Sequence, residues 1–266
     1  VNSEIITADC TGCGARVKRM LESVRHIDGW RSHVVCGACR EAEDPSAERF
    51  ARLIREDSES RWRAKVEAFD ASAGYVDARL PDEPEQAWQR VAVDALDVWC
   101  EPGPRPARAG LMLVGPTGIG KTWAAFAVAN EAARRGNPSG IRVASELDLL
   151  GAQVAPWELR DHVGRWVDGA SVLLIDDIGV AARQQDQIQA GWKALCDLIA
   201  GQNRPLLLLG TSNRQSWQKE GGLVSWMGQQ SASRLRPWMR ICTTGVVDRR
   251  TGETHANWER QLGGAS

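Results

Sequence analysis

One short run has the residue types and spacing to grip a polyphosphate. Gly115, Pro116, Thr117, Gly118, Ile119, Gly120, Lys121 and Thr122 fit the pattern G-x-x-x-x-G-K-[ST], preceded by the apolar stretch GLMLV and followed by the alanine-rich TWAAFAVANEA. A strand, a glycine-rich turn and a helix in that order let backbone N–H groups converge on phosphate oxygens at a helix amino terminus, where the aligned peptide dipoles favour an anion. In this arrangement Lys121 neutralises the β- and γ-phosphate oxygens and Thr122 offers its hydroxyl to a magnesium ion, so ATP and magnesium are the expected ligands. Ala124, Ala125 and Ala127 are small enough for the helix to lie close to a sheet.

Groups that would complete such a site end two further apolar runs. SVLLIDDIG (171–179) leads four apolar residues into Asp176 and Asp177. Uninterrupted apolar runs suit strands covered by helices on both faces, as in a parallel sheet. Asp176 is then placed to hold magnesium through water, and Asp177 to orient or deprotonate an attacking water. PLLLLGTSN (205–213) ends in Asn213, whose amide can span from the γ-phosphate to that water if its strand lies between the other two.

A second kind of chemistry stands near the amino end. Cys10 and Cys13 form one C-x-x-C, and Cys36 and Cys39 form another after a spacer of 22 residues. Each turn can aim two thiolates at one metal, so the four read as a tetrahedral zinc site in a zinc-ribbon-like module. A module of about 45 residues buries too little surface to fold alone, and a structural zinc contributes roughly 10–16 kcal/mol of apparent binding energy. His26 and His33 lie inside the spacer and read as surface residues. Cys100, Cys196 and Cys242 stand in apolar or helical contexts and read as packing residues.

These groups must be positioned by ordinary globular elements, and the composition allows it: 266 residues, 43% hydrophobic, 25% charged. No run of about 18 uncharged apolar residues occurs, and VNSEIITADC has neither a basic flank nor an apolar signal core, so the cytoplasm is the expected compartment and no membrane partner is expected. A net charge of -1 gives no global basic field, which leaves nucleic-acid binding to a local patch. One candidate is the arginine-rich stretch after Asn213, which reads equally as a mixed-charge surface. The twelve tryptophans are dispersed and read as core or interface residues. Three parts follow: a zinc-binding module over 1–45, a helical linker over 46–70, where PSAERFARLIREDSESRWRAKVEAF carries apolar residues at helical spacing, and an ATPase domain over 71–266. Within the last, EQAWQRVAVDALDVWC reads as a helix and IRVAS as a strand.

The succession of phosphate loop, acidic strand and Asn-ended strand is similar to that of AAA+ ATPases. From about residue 75 to 255 the chain resembles the DnaC/DnaI-type helicase loaders and their IstB-like relatives, through GPTGIGKT, VLLIDDIG, NRPLLLLGTSN and SASRLRPWMRICTTGVVDRR. The resemblance implies an α/β, three-layer AAA+ sandwich with a parallel central sheet and a reduced or absent lid. It implies that Arg234 and Arg236 serve the ATP of a neighbouring subunit, in a head-to-tail ring or spiral, and that Asp248 with Arg249 or Arg250 is the D-R-R element that follows them. It implies a weak ATPase when the subunit is alone, and partners in a hexameric replicative helicase and single-stranded DNA. Asp177 departs from the pattern, standing where many AAA+ proteins carry glutamate. Initiator-clade relatives have an extra channel-facing helix between the second and third strands; residues 145–168 fall there, and Arg160, Arg165 and Trp166 are its candidates for phosphate and base contact. A transposition regulator similar to IstB, assembling on duplex DNA, is the alternative. A small-molecule P-loop kinase would lack the Asn-ended strand and the trans arginines.

Overall fold

The computed structural model describes residues 4–9, 16–21, 45–69, 74–101, 107–135, 140–150, 154–155, 157–180, 185–214 and 221–245. The chain forms two units, Val1–Asp57 and Ser58–Ser266. In the first, β1 (Glu4–Asp9) pairs antiparallel with β2 (Arg16–Leu21), with Asp9 opposite Arg16. All four cysteines of the expected zinc site lie outside the described residues. The helix expected over 46–70 is α1 (Pro45–Phe69).

The second unit shows why its apolar runs lack alternation. Its strands β3 (Arg108–Val114), β4 (Ile141–Ser145), β5 (Val172–Ile178), β6 (Leu206–Ser212) and β7 (Met239–Cys242) form a parallel sheet in the order β4-β5-β6-β3-β7. Successive strand residues point to opposite faces, and here both faces are covered. Leu111, Leu113, Val172, Leu174, Leu207 and Leu209 enter one apolar cluster, with α2 (Ala87–Cys100) and α3 (Lys121–Arg135). Met112, Val114, Leu173, Ile175, Leu206 and Leu208 enter a second, with α5 (Leu159–Val167), α6 (Gln185–Gly201), α7 (Leu223–Met227) and α8 (Gln229–Leu235); α4 (Glu146–Leu150) precedes α5 in the chain. The product is helix, sheet, helix: an α/β fold on a five-stranded parallel sheet.

Alanines let α3 sit flat on the sheet, with Ala124, Ala125, Ala127, Ala129, Ala132 and Ala133 all buried. Its Asn130 is buried among them and makes long-range bonds. The Trp62 indole N–H donates to Asn130 Oδ1 at 2.8 Å, and Asn130 Nδ2 donates to the carbonyls of Tyr75 and Ala78, each at 2.9 Å. Tyr75 stacks on Phe126 with ring centroids 4.6 Å apart. Helix α2 begins at a capping box, where the Gln89 side chain accepts the Gln86 backbone N–H at 2.8 Å. Of the cysteines read as packing, Cys196 is buried, Cys242 half-buried and Cys100 exposed, because α2 turns its last residue away from the sheet.

Candidate nucleotide site

Parallel strands end on the same edge, and the sheet order brings three chemically distinct ends together there. Because β6 lies between β3 and β5, the phosphate loop after β3 is flanked directly by Asn213 and, one strand further, by the two aspartates. The loop is braced before any ligand is considered. Gly115 (φ 146°) donates its N–H to Ser212 O at 3.1 Å, and a Cβ there would meet Ile119 Cδ1 at 2.3 Å, so only glycine leaves room for that buried side chain. The hydroxyl of Thr244, just past β7, donates to Ile119 O at 2.9 Å.

Lys121 is buried, and its ammonium donates to Asn213 Oδ1 at 2.8 Å, to Gly115 O at 2.9 Å and to Pro116 O at 2.7 Å. The two groups expected at the γ-phosphate are therefore in direct contact. Thr122 Oγ1 donates to Asp176 Oδ1 at 3.0 Å, and Thr211 Oγ1 donates to the same oxygen at 2.5 Å. Burial pushes the Asp176 carboxyl above its ordinary range; the Asp177 charge adds to this, while the two hydroxyls and the Asp177 N–H work against it. A hydroxyl beside a buried carboxylate of this kind is an oxygen donor set that suits a hard divalent cation.

Asp177 is presented differently. Pairing of β5 with β6 is irregular between Ile175 and Ile178, and Asp177 has φ 57°, the one positive value among described residues other than glycine. Its N–H is satisfied by Thr211 Oγ1 at 3.1 Å in place of a ladder carbonyl, and its side chain is exposed. A left-handed aspartate costs about 1 kcal/mol, so the chain holds the second carboxylate out from the strand against local preference. Together these groups can grip phosphates, ligate a cation and hold a carboxylate where water has access.

Other expected residues lie apart from this cluster. Arg234, in the last turn of α8, is ion-paired with Asp197 of α6, and Arg236 is exposed just beyond. Arg160 and Arg165 are exposed on α5, Trp166 is half-buried, and Arg165 bonds His162 at 2.8 Å. Asp248, Arg249 and Arg250 fall outside the described residues. Among the described residues, no group of three or more His, Cys, Asp or Glu side chains is gathered for a metal ion. Nor is any described helix long and apolar enough to cross a membrane.

Two contributors escape motif reading. Thr211 is signalled only as a polar residue interrupting an apolar strand. Glu146 resembles any acid at a helix start, yet it is 1% exposed and accepts the Gly179 N–H at 2.9 Å and the indole N–H groups of Trp192 and Trp226, each at 2.8 Å. Burial raises its pKa, opposed by those three bonds and the Arg214 charge.

Fold and site together define a P-loop nucleotide-binding α/β domain, with the phosphate loop, acidic strand and Asn-ended strand on one sheet edge. More narrowly, residues 106–218 match the family model described as IstB-like ATP binding protein, so this stretch carries an IstB-like ATP-binding domain. Among curated proteins, none matches. Solved structures similar to the chain include a DNA replication initiation factor, at 17% identity and TM-score 0.45, over 62% of this chain and 49% of that one. The DnaC helicase loader is similar at 21% identity and TM-score 0.47, over 65% and 99% of the two chains. DnaI is similar at 21% identity and TM-score 0.44, over 66% and 92%. The chain thus spans about half the length of the initiation factor and nearly all of the loader.

Proposed function

We propose that this chain hydrolyses ATP and works as a loader of a hexameric replicative helicase. The observation that carries the hydrolytic part is the bond from Lys121 on the phosphate loop to Asn213 on the adjoining strand, beside the Thr122–Asp176 bond. Lys121 and the loop N–H groups bind the triphosphate, and Thr122 and Asp176 hold magnesium, which supplies charge neutralisation on the β- and γ-oxygens when bound. Asn213 orients a water for in-line attack on the γ-phosphorus, and Asp177 takes its proton. The bond between the β–γ bridging oxygen and the γ-phosphorus breaks, leaving ADP and phosphate.

Arg234 and Arg236 belong, in this reading, to the site of the next subunit. Arginines supplied in this way accelerate phosphoryl transfer by about 10³–10⁵ in other systems, so a lone subunit turns over slowly and ATP acts as an assembly signal. The oligomer is a head-to-tail ring or spiral that contacts single-stranded DNA through the 145–168 segment. Cys10, Cys13, Cys36 and Cys39 hold a structural zinc in a module that meets the helicase. The loader assignment rests on the resemblance of the motifs and on the four-cysteine amino-terminal module, which is similar to that of the DnaI branch, whereas IstB-like transposition regulators usually have a helical amino end.

The test is capture of a hexameric replicative helicase by the full chain, with ATP and with ADP, beside electron microscopy of the chain on duplex DNA. ATP-dependent capture is expected. ATP-dependent filaments on duplex DNA with no helicase capture would hand the assignment to the transposition regulator. For hydrolysis, Lys121→Ala should abolish nucleotide binding, whereas Asn213→Ala should spare binding and lower turnover roughly a hundredfold. Equal loss of binding in both would remove Asn213 from its role.

A further inference from the structure

Glu146 stands outside the nucleotide cluster but reaches both loops that shape it. Its two oxygens divide their partners: Oε2 accepts the Gly179 N–H, and Oε1 accepts the indoles of Trp192 and Trp226. Gly179 is two residues past Asp177. Arg214 is the residue after Asn213, and its guanidinium lies 3.9 Å from the centroid of the Trp226 ring. The ends of β5 and β6 are also bonded to each other. Ser212 Oγ donates to Ile178 O at 2.6 Å and accepts the Arg214 N–H at 3.0 Å. Gly179 has φ 95°, and a Cβ on it would meet Arg214 side-chain atoms at 2.6–2.9 Å.

A buried carboxylate is a poor source of stability, because desolvation offsets its hydrogen bonds. What such a group does supply is direction: one anion with three fixed donors defines the relative positions of the elements that carry them. Here those elements are the exit of β5, helix α6 and helix α7, and through the cation over Trp226 the exit of β6 as well.

We propose that Glu146 is a positioning residue for ATP hydrolysis, whose carboxylate ties the loop after β5 through Gly179 and the loop after β6 through Trp226 and Arg214, and so sets Asp177 and Asn213 against the γ-phosphate. This rests on the hydrolytic reading above. Glu146 acts on turnover through the strand exits it holds, and its hydrogen-bond partners are Gly179, Trp192 and Trp226, not Lys121 or the phosphate loop.

The partition of its oxygens makes Glu146→Gln selective. An amide that keeps its oxygen on the two indoles turns an N–H₂ toward the Gly179 N–H, so the β5 loop is released while α6 and α7 stay tied. The measurements are steady-state ATP turnover, at the protein concentration and with the helicase and single-stranded DNA that maximise wild-type activity, together with ATP affinity and the thermal midpoint. Arg214→Met is the companion variant, removing the cation from Trp226 while keeping side-chain length. Expected for both is a kcat lowered roughly ten- to a hundredfold with KM and ATP affinity within about twofold of wild type, the signature of misplaced groups in a bound complex. A folded Glu146→Gln with wild-type kcat would overturn the assignment, as would losses of kcat and ATP affinity that fall together with the folded fraction. If Glu146→Gln does not fold, Arg214→Met decides: reduced kcat at unchanged affinity sustains the proposal and wild-type kcat ends it. A wild-type chain that binds ATP and never turns it over fails the hydrolytic reading itself, and the role of Glu146 with it.

Discussion

Asp176 holds the conflict on which the nucleotide site is built. Its carboxyl is buried, and that burial first of all raises its pKa above the ordinary carboxylate range, against the two hydroxyls that donate to it. For an acid whose folded pKa lies above its unfolded value, the contribution to stability is complete below the unfolded value and is lost as pH rises through the folded one. Glu146 shifts in the same direction. The domain free of magnesium and nucleotide should therefore lose stability from these groups as pH climbs above the ordinary carboxylate range. Asp176→Asn removes the Asp176 part: thermal melts in chelator at pH 7.5 should show a midpoint higher by about 2–4 °C, the equivalent of roughly 1 kcal/mol, while magnesium-dependent turnover drops roughly a hundredfold or more. A midpoint lowered by the same amount would show that the two hydroxyl bonds outweigh desolvation. Lys121 and Thr122 were legible as candidates because they sit at fixed offsets in a local motif, and Asp176 and Asn213 because each ends an apolar run. Thr211 and Glu146 were not, because their partners are 35, 46 and 80 positions away and only folding brings them together.

At the scale of elements, uninterrupted apolar runs announced β3, β5 and β6, and sheet order explained their ends. The strand β7 and the short helices α7 and α8 had no comparable signal: MRIC is four residues long with an arginine at its second position, and helices of five and seven residues are too short to show a period. Asn130 is the element-scale feature no pattern would reveal, since an asparagine in an alanine helix reads as a weak point. Within the second unit it pins Trp62 of α1 and the 3₁₀ turn Tyr75–Asp77 onto α3 by accepting one indole N–H and donating to the carbonyls of Tyr75, Val76 and Ala78. Asn130→Ala leaves the Trp62 N–H and those carbonyls without these partners, at a cost of about 2–4 kcal/mol. Thermal denaturation should shift down by roughly 5–12 °C, with turnover per folded molecule at 25 °C unchanged within about twofold. A loss of turnover beyond the unfolded fraction would connect α1 to the nucleotide site, which the bonds of Asn130 do not.

For the whole molecule the question is what completes each site, and Arg234 poses it. Its guanidinium is ion-paired to Asp197 of its own chain, but both side chains are partly exposed, 45% and 31%, and such pairs contribute only about 0–1 kcal/mol. Releasing Arg234 to a neighbour's γ-phosphate thus costs little against an acceleration of about 10³–10⁵. The consequence is a complementation between two defective chains. Lys121→Ala would lack ATP binding but keep both arginines; Arg234→Ala would bind ATP but offer its neighbour only Arg236. Each alone should be nearly inactive, and titrating Lys121→Ala into a fixed amount of Arg234→Ala should restore turnover at the Arg234→Ala sites, rising and saturating as mixed neighbours form. Wild-type specific activity should rise with protein concentration for the same reason. An Arg234→Ala chain as active as wild type, or a pair of variants whose mixture is never better than the sum of its parts, would place Arg234 outside the reaction.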